Sequence, residues 1–129
     1  MNSHDYRAAL MYFFRSIRKH QAIYWLLDMN HLSSPTMADQ KWTIHYMSHA
    51  LKGTSIQKVA LVLPNDLLLE LVVEKIWEGI GHQVQDKIPT EYFRLSSQAL
   101  DWLLPASDTE GLFRAEAFNG NQANATGNS

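Results

Sequence analysis

A continuous apolar run, Ala22 to Asp28 (AIYWLLD), constrains the fold of this chain more than any other stretch. It is rich in aromatic and branched residues, which favour extended backbone. It also lacks the alternation of polar and apolar residues that a half-exposed strand shows, and such runs are typical of strands covered on both faces in parallel sheets. The run therefore predicts a buried strand in the middle of an α/β domain.

The rest of the sequence predicts helices that alternate with two further strands. Apolar residues recur at helical spacing over about 5–20, 35–52 and 66–80, and a short helix follows over 98–104. The runs 58–63 and 91–95 are β-rich. This α-β-α-β-α-β-α order predicts a layered α/β domain with a small, mainly parallel sheet of three visible strands, packed by helices.

The chain of 129 residues is long enough for one hydrophobic core but too short for two. We predict a single domain over residues 1–105. The end of the chain is rich in Asn and Gly and cannot bury enough apolar surface to offset the entropy of ordering it. Residues 106–129 are therefore predicted to form a polar, disordered C-terminal tail.

Composition excludes several classes of protein. The formal charge is −2, with 11 basic against 13 acidic residues, whereas nucleic-acid binding needs a dense basic surface. No apolar run approaches the roughly 18 residues of a membrane span, and no cysteine is present for a disulfide, a thiolate metal site or a nucleophile. The start also lacks the pattern of a signal peptide. We expect a cytoplasmic protein without nucleic-acid or membrane partners.

Polar residues follow the first strand, at the edge of a parallel sheet where ligands usually bind. The sequence predicts a binding surface there, formed by Asp28, His31, Ser33, Ser34 and Trp42. Its occupant is a protein partner or a small-molecule ligand. Ser33 and Ser34 are also candidate phosphoacceptors, because hydroxyls at a helix N-terminus hold phosphate favourably.

The same residues admit a structural interpretation. Asp28, His31 and a serine are the residue types of a catalytic triad. However, the Gly-x-Ser-x-Gly motif is absent, and three residues on one loop rarely hold the geometry that a triad requires. Asp28 as a strand terminator and Ser34 as a helix cap are the preferred roles.

His45 and His49 are four residues apart, which places two imidazoles on one helix face, as some metal sites require. The motif lacks a glutamate after the first histidine and a third ligand is not evident, so no metal and no cofactor are predicted. The rival hypothesis is a small enzyme or metal-binding protein that uses Asp28, His31 and the His45/His49 face. A purely structural assembly partner is a third possibility.

Several segments in order carry a family resemblance. Trp25 to Asp28, the helix with Trp42, the strand Val59 to Val62 and the stretch from Tyr92 to Leu103 together resemble the SpoIIAA-like (STAS-like) domain family. The resemblance covers about residues 5–104, and the segment from Phe93 to Leu103 is its most specific part. It implies an α/β sandwich with a regulatory or ligand-binding role and no shared catalytic machinery.

Two features depart from the family pattern. In the anti-sigma-factor antagonists of the wider group, a serine in an Asp-Ser-Ser-Gly-like turn is phosphorylated, whereas residues 32–35 here read Leu-Ser-Ser-Pro. Such domains also usually begin with one or two strands before the first helix, whereas only Met1 to His4 precede it here. Either the sheet is truncated and a second subunit covers its exposed edge, or the true start codon lies upstream. An edge left open by a small sheet invites association, so we predict a homodimer. The leading hypothesis is a non-enzymatic regulatory or binding domain.

Overall fold

The computed structural model describes residues 2–84 and 88–116. These residues form four α-helices and four β-strands in an alternating order that ends on a strand. The helices are α1 (Ser3–Lys19), α2 (Met37–Ala50), α3 (Leu67–Gln83) and α4 (Ser96–Leu103), and the strands are β1 (Tyr24–Asp28), β2 (Lys58–Val62), β3 (Thr90–Phe93) and β4 (Leu112–Glu116). Short 3₁₀ turns follow α2 at Leu51–Gly53 and α4 at Pro105–Ser107.

The four strands make one parallel sheet with the order β3-β2-β1-β4. Leu26 in β1 lies between Ala60 of β2 and Arg114 of β4. The predictions of a layered α/β domain and of a mainly parallel sheet are confirmed, and β1 is central, as its apolar run indicates.

Strand β4 lies inside the stretch that the sequence predicted to be a disordered tail. The three-strand prediction and the domain end at residue 105 are therefore wrong, because the sheet continues to Glu116. The sequence of β4, Leu-Phe-Arg-Ala-Glu, is short and half polar, so it resembles the polar stretch around it. Its order comes from pairing with β1, a contact between distant parts of the chain that local patterns do not reveal. Residues 117–129 lie outside the described residues.

The same pairing removes the original reason for expecting a homodimer. The exposed edge that a second subunit was predicted to cover is the edge of β1, and β4 covers it within the chain. Gly111, just before β4, begins this pairing. Its carbonyl accepts hydrogen bonds from the backbone N–H groups of Ile23 and Tyr24, at 2.8 and 3.0 Å.

The sheet separates two hydrophobic cores, which explains why β1 shows no polar alternation. On one face, Trp25 and Leu27 pack with side chains from α1, α2 and α3 in the larger core. On the other face, Leu26 packs with Ala99 and Leu103 of α4. Successive residues of a strand point to opposite faces, so a strand covered on both sides needs apolar residues at every position.

The N-terminus of α2 differs from the predicted one. Thr36 caps the helix, with its hydroxyl accepting a hydrogen bond from the Asp39 backbone N–H at 3.1 Å, so Ser34 is not the cap. The proline that suggested an earlier start, Pro35, precedes the cap instead of occupying the first helical turn. Within the described residues, no helix is long and apolar enough to cross a membrane.

Candidate functional site

Asp28 lies at the carboxyl end of β1, as predicted, but its carboxylate is engaged in local structure. One oxygen accepts a hydrogen bond from the backbone N–H of Asn30 at 3.0 Å. The other accepts a hydrogen bond from the Ser96 hydroxyl at 3.3 Å. Asp28 therefore ends β1 and stabilises the turn that follows it, which is the structural role that the sequence favoured. It also links this turn to the start of α4.

The other predicted binding residues do not converge on one concave site. His31 and Ser34 are exposed and Ser33 is half-buried. Ser33 and Ser34 line a small cavity of about 40 Å³ that also contacts Asp39, and neither His31 nor Trp42 reaches it.

Trp42 lies in a stack on the outer part of α1 and α2. Its ring stacks on Tyr46, with centroids 4.8 Å apart and planes within 5° of parallel. The guanidinium of Arg7 lies over the Trp42 ring, 5.1 Å from its centroid. Trp42 is therefore engaged by Tyr46 and Arg7 where α1 contacts α2.

Asp39 is a buried carboxylate whose role the sequence did not reveal. Only 3% of the residue is exposed. Its carboxylate accepts hydrogen bonds from the Ser3 hydroxyl at 2.8 Å and from Arg7 Nε at 2.9 Å. Burial alone would raise the pKa of Asp39, but the hydrogen bonds from Ser3, Arg7 and Thr36 and the charge of Arg7 outweigh it, and the pKa is lowered. Asp39 is thus held as an anion that joins α1 to α2.

A second polar link lies deeper between the same helices. The Thr43 hydroxyl donates to the Asp39 carbonyl at 2.6 Å, so the Tyr6 hydroxyl donates its proton to Thr43, at 2.7 Å. Burial raises the pKa of Tyr6. These polar side chains satisfy one another and position the helices, so we assign them a structural role.

His45 and His49 lie together on the exposed side of α2, with ring centroids 4.6 Å apart. His49 Nδ1 lies 2.9 Å from the His45 carbonyl, within hydrogen-bond distance. In residues 2–84 and 88–116, no group of three His, Cys, Asp or Glu side chains is placed to hold a metal ion. The pair therefore has no third ligand in this part of the chain.

A larger cavity, of about 240 Å³, lies at the opposite end of the sheet, between α3 and β3. It is near the amino ends of the strands, where Val59 begins the buried part of β2 and Thr90 begins β3. Most of its wall is apolar or aromatic. Its lining residues are Leu51, Val59, Trp77, Glu78, Ile80, Gly81, Val84, Ile88, Thr90 and Tyr92.

Few polar groups face this α3/β3 cavity. The Thr90 hydroxyl donates to the Ile88 carbonyl at 2.9 Å. Burial raises the pKa of the Tyr92 hydroxyl, and the negative charges of Glu74 and Glu78 raise it further. Tyr92 therefore stays protonated at neutral pH and can donate a hydrogen bond.

Sequence reasoning missed this cavity. Trp77 packs edge-to-face on Trp25, with ring centroids 6.0 Å apart, and it also lines the cavity wall. The sequence of residues 83–89 has neither a helical nor a strand periodicity, so it gives no indication of a cavity. The signal in the sequence that could have predicted a ligand site is the row of acidic residues on α3, Glu74 and Glu78, together with the aromatic Tyr92 on the following strand.

The described residues thus form an α/β domain with a four-stranded parallel sheet and a cavity of about 240 Å³ beside its edge strand β3. Comparisons of the chain with protein-family models, with curated proteins and with solved structures found no match. The resemblance to STAS-like domains therefore stays a prediction from the sequence.

Proposed function

We propose that this protein is a non-enzymatic binding domain whose small-molecule ligand occupies the α3/β3 cavity. The observation that supports the proposal is the cavity itself, which combines an apolar wall with a few polar groups, as ligand sites generally do. Its volume of about 240 Å³ lies below the range of about 300–1,000 Å³ typical of sites for drug-sized molecules. The ligand is therefore compact, on the scale of one ring with a short substituent.

A fragment screen by ligand-observed NMR tests this proposal, with Gly81→Leu as the blocking variant. Gly81 lines the cavity, and a Cβ atom added there meets no atom within 4 Å, so helix α3 accepts a leucine side chain at the cavity wall. Gly53→Leu is the matched control, because Gly53 also has open space around a new Cβ atom but does not line the cavity.

We expect fragments that bind the natural chain and the Gly53 variant but not the Gly81 variant. A ligand at one hundred times its Kd also raises the free energy of unfolding by about 2.7 kcal/mol, which a thermal denaturation shift measures. If every hit binds the Gly81 variant equally well, the ligand site lies elsewhere and the proposal is wrong.

The regulatory hypothesis is a second candidate, and the exposure of Ser34 favours it. Ser34 lies two residues before the cap of α2. Because it is exposed, it is accessible to a kinase, whereas Ser33 is half-buried. Mass spectrometry of the protein from its native cells is the test. Phosphate on Ser34 supports a STAS-like switch, and unmodified serines across growth conditions contradict it.

The homodimer remains a proposal and now has a different surface to support it. Leu67, Leu68 and Leu71 on the outer side of α3 are 70%, 75% and 54% exposed. Clustered exposed leucines of this kind mark association surfaces, and Lys75 further along α3 can face the acidic first turn of an antiparallel α3 from a second copy. Light scattering of the natural chain and of Leu68→Glu tests it, and a monomeric mass for the natural chain contradicts it.

A further inference from the structure

We propose that the α3/β3 cavity selects compact ligands that carry a protonated amine on an apolar or aromatic body, because Trp77, Tyr92 and Glu78 line it together. This inference rests on the proposed function, since it names the ligand class of the same cavity. Three properties of the cavity lead to it: the aromatic wall, the acidic side and the arrangement of polar and apolar lining residues.

The aromatic wall suits a cation. Trp77 on α3 and Tyr92 on β3 are the two aromatic lining residues, and they come from the two elements that enclose the cavity. Aromatic rings attract ammonium groups by about 0.5–2 kcal/mol, with tryptophan the strongest. The chain makes such contacts elsewhere, with Lys58 Nζ 4.9 Å from the centre of the Trp102 ring.

The charges around the cavity also favour a cation over an anion. Glu78 lines the cavity, and Glu74 lies one helical turn earlier on the same side of α3. Both carboxylates act electrostatically on the Tyr92 hydroxyl, which places their charges close to the cavity. The next acidic residue of this row, Glu70, is already paired with Arg94 at 2.9 Å. An anionic ligand would therefore meet the Glu78 carboxylate, with that of Glu74 one helical turn away.

The arrangement of the wall gives the ligand an orientation. Leu51, Val59 and Ile80 are buried apolar residues at the inner wall, whereas Glu78 is mostly exposed. The apolar body therefore enters first, and the amine stays at the mouth beside Glu78 and the Tyr92 hydroxyl. His82 Nε2 lies 3.9 Å from Glu78, and both side chains are exposed, so a ligand amine can displace this weak contact.

Isothermal titration calorimetry with three probes of matched shape tests the inference. The probes are 2-phenylethylamine, 2-phenylethanol and 3-phenylpropionate, which differ mainly in the charge of the end group. We expect the amine to bind about ten-fold more tightly than the alcohol, which corresponds to about 1.4 kcal/mol, and the carboxylate to bind most weakly. The advantage of the amine should fall as salt is added, because its partner carboxylates are near the surface.

Glu78→Gln separates the charge from the shape of the cavity. We expect this variant to bind the amine several-fold more weakly and the alcohol unchanged. Glu110→Gln is the control, since Glu110 is exposed, makes the same change in net charge and does not line the cavity. A loss of amine affinity in both variants would point to a general effect of protein charge and would overturn the inference.

The outcomes distinguish this inference from the proposed function. If the alcohol binds the natural chain as tightly as the amine, the cavity does not select cations and the inference fails, while small-molecule binding stands. If no probe binds but other fragments occupy the cavity, the inference again fails alone. If neither probes nor fragments bind, the proposed function fails with it.

Discussion

Replacement of Asp39 by alanine tests whether the buried carboxylate holds α1 on α2. The substitution removes the charge-assisted hydrogen bonds that the carboxylate accepts from Ser3 at 2.8 Å and from Arg7 at 2.9 Å. Hydrogen bonds to charged groups contribute about 1.5–3 kcal/mol each. The Arg7 side chain is 35% exposed and regains water when its partner is lost, so the total is smaller than for a fully buried ion pair.

We therefore expect the free energy of unfolding to fall by about 3 kcal/mol in Asp39→Ala. For a domain of this size the melting temperature should fall by about 4 °C for each kcal/mol, hence by about 12 °C. Urea denaturation followed by circular dichroism measures the change. Asp101→Ala on the exposed side of α4 is the control and should change stability by less than about 0.5 kcal/mol. A loss below about 1 kcal/mol in Asp39→Ala would refute the reasoning.

The pH dependence of stability gives an independent measure of Asp39. Its pKa is lower in the folded protein than the ordinary value of 3.8, which the unfolded chain retains. The stabilising contribution is therefore complete above the unfolded pKa and is lost as the pH falls through the folded pKa. Between pH 6 and pH 3 we expect Asp39→Asn to lose less stability than the natural chain, and parallel curves would contradict the lowered pKa.

Two further predictions concern strand β4. Gly111 has a φ of 83°, and a Cβ atom there would lie 2.6 Å from Ile23 Cγ1, so Gly111→Ala should cost about 2–4 kcal/mol in chemical denaturation. Gly53→Ala, where a new Cβ atom has open space, should cost far less, and equal losses would contradict a specific role for Gly111. A chain that ends at residue 105 should fail to unfold cooperatively, because it exposes the whole edge of β1, whereas a chain that ends at residue 116 keeps all four strands. A cooperatively folded chain of residues 1–105 would show that β4 is dispensable.

The sequence predicted those elements whose order is encoded locally. Strands β1 and β2 are apolar runs, and α1 and α3 have apolar faces at helical spacing, so their position along the chain was evident. Strand β4 has only two large apolar residues, Leu112 and Phe113, and its stability depends on β1, far away in the sequence. No local pattern carries that information.

The candidate site was harder to predict than the fold for a related reason. The sequence predicted a binding surface at the carboxyl edge of the sheet, because Asp28 and two serines are close together in the sequence. In the structure, the Asp28 carboxylate instead accepts hydrogen bonds from Asn30 and Ser96. The α3/β3 cavity draws Trp77 and Tyr92 from separate elements, and a sequence does not show which way a helical side chain points between two neighbours. Asp39 likewise gains its partners, Ser3 and Arg7, only when α1 packs on α2.

The position of β4 beside β1 also sets an order for synthesis in the cell. The ribosome makes β1 before β4, the strand that pairs with one of its two edges. Tyr24 of β1 pairs with Leu112 of β4, so this edge stays unpaired until residue 112 has been made. During that interval the most apolar strand of the chain has one unpaired edge, which is a site for wrong pairing with other nascent chains. The central sheet of the domain is therefore complete only after residues 112–116 have been translated.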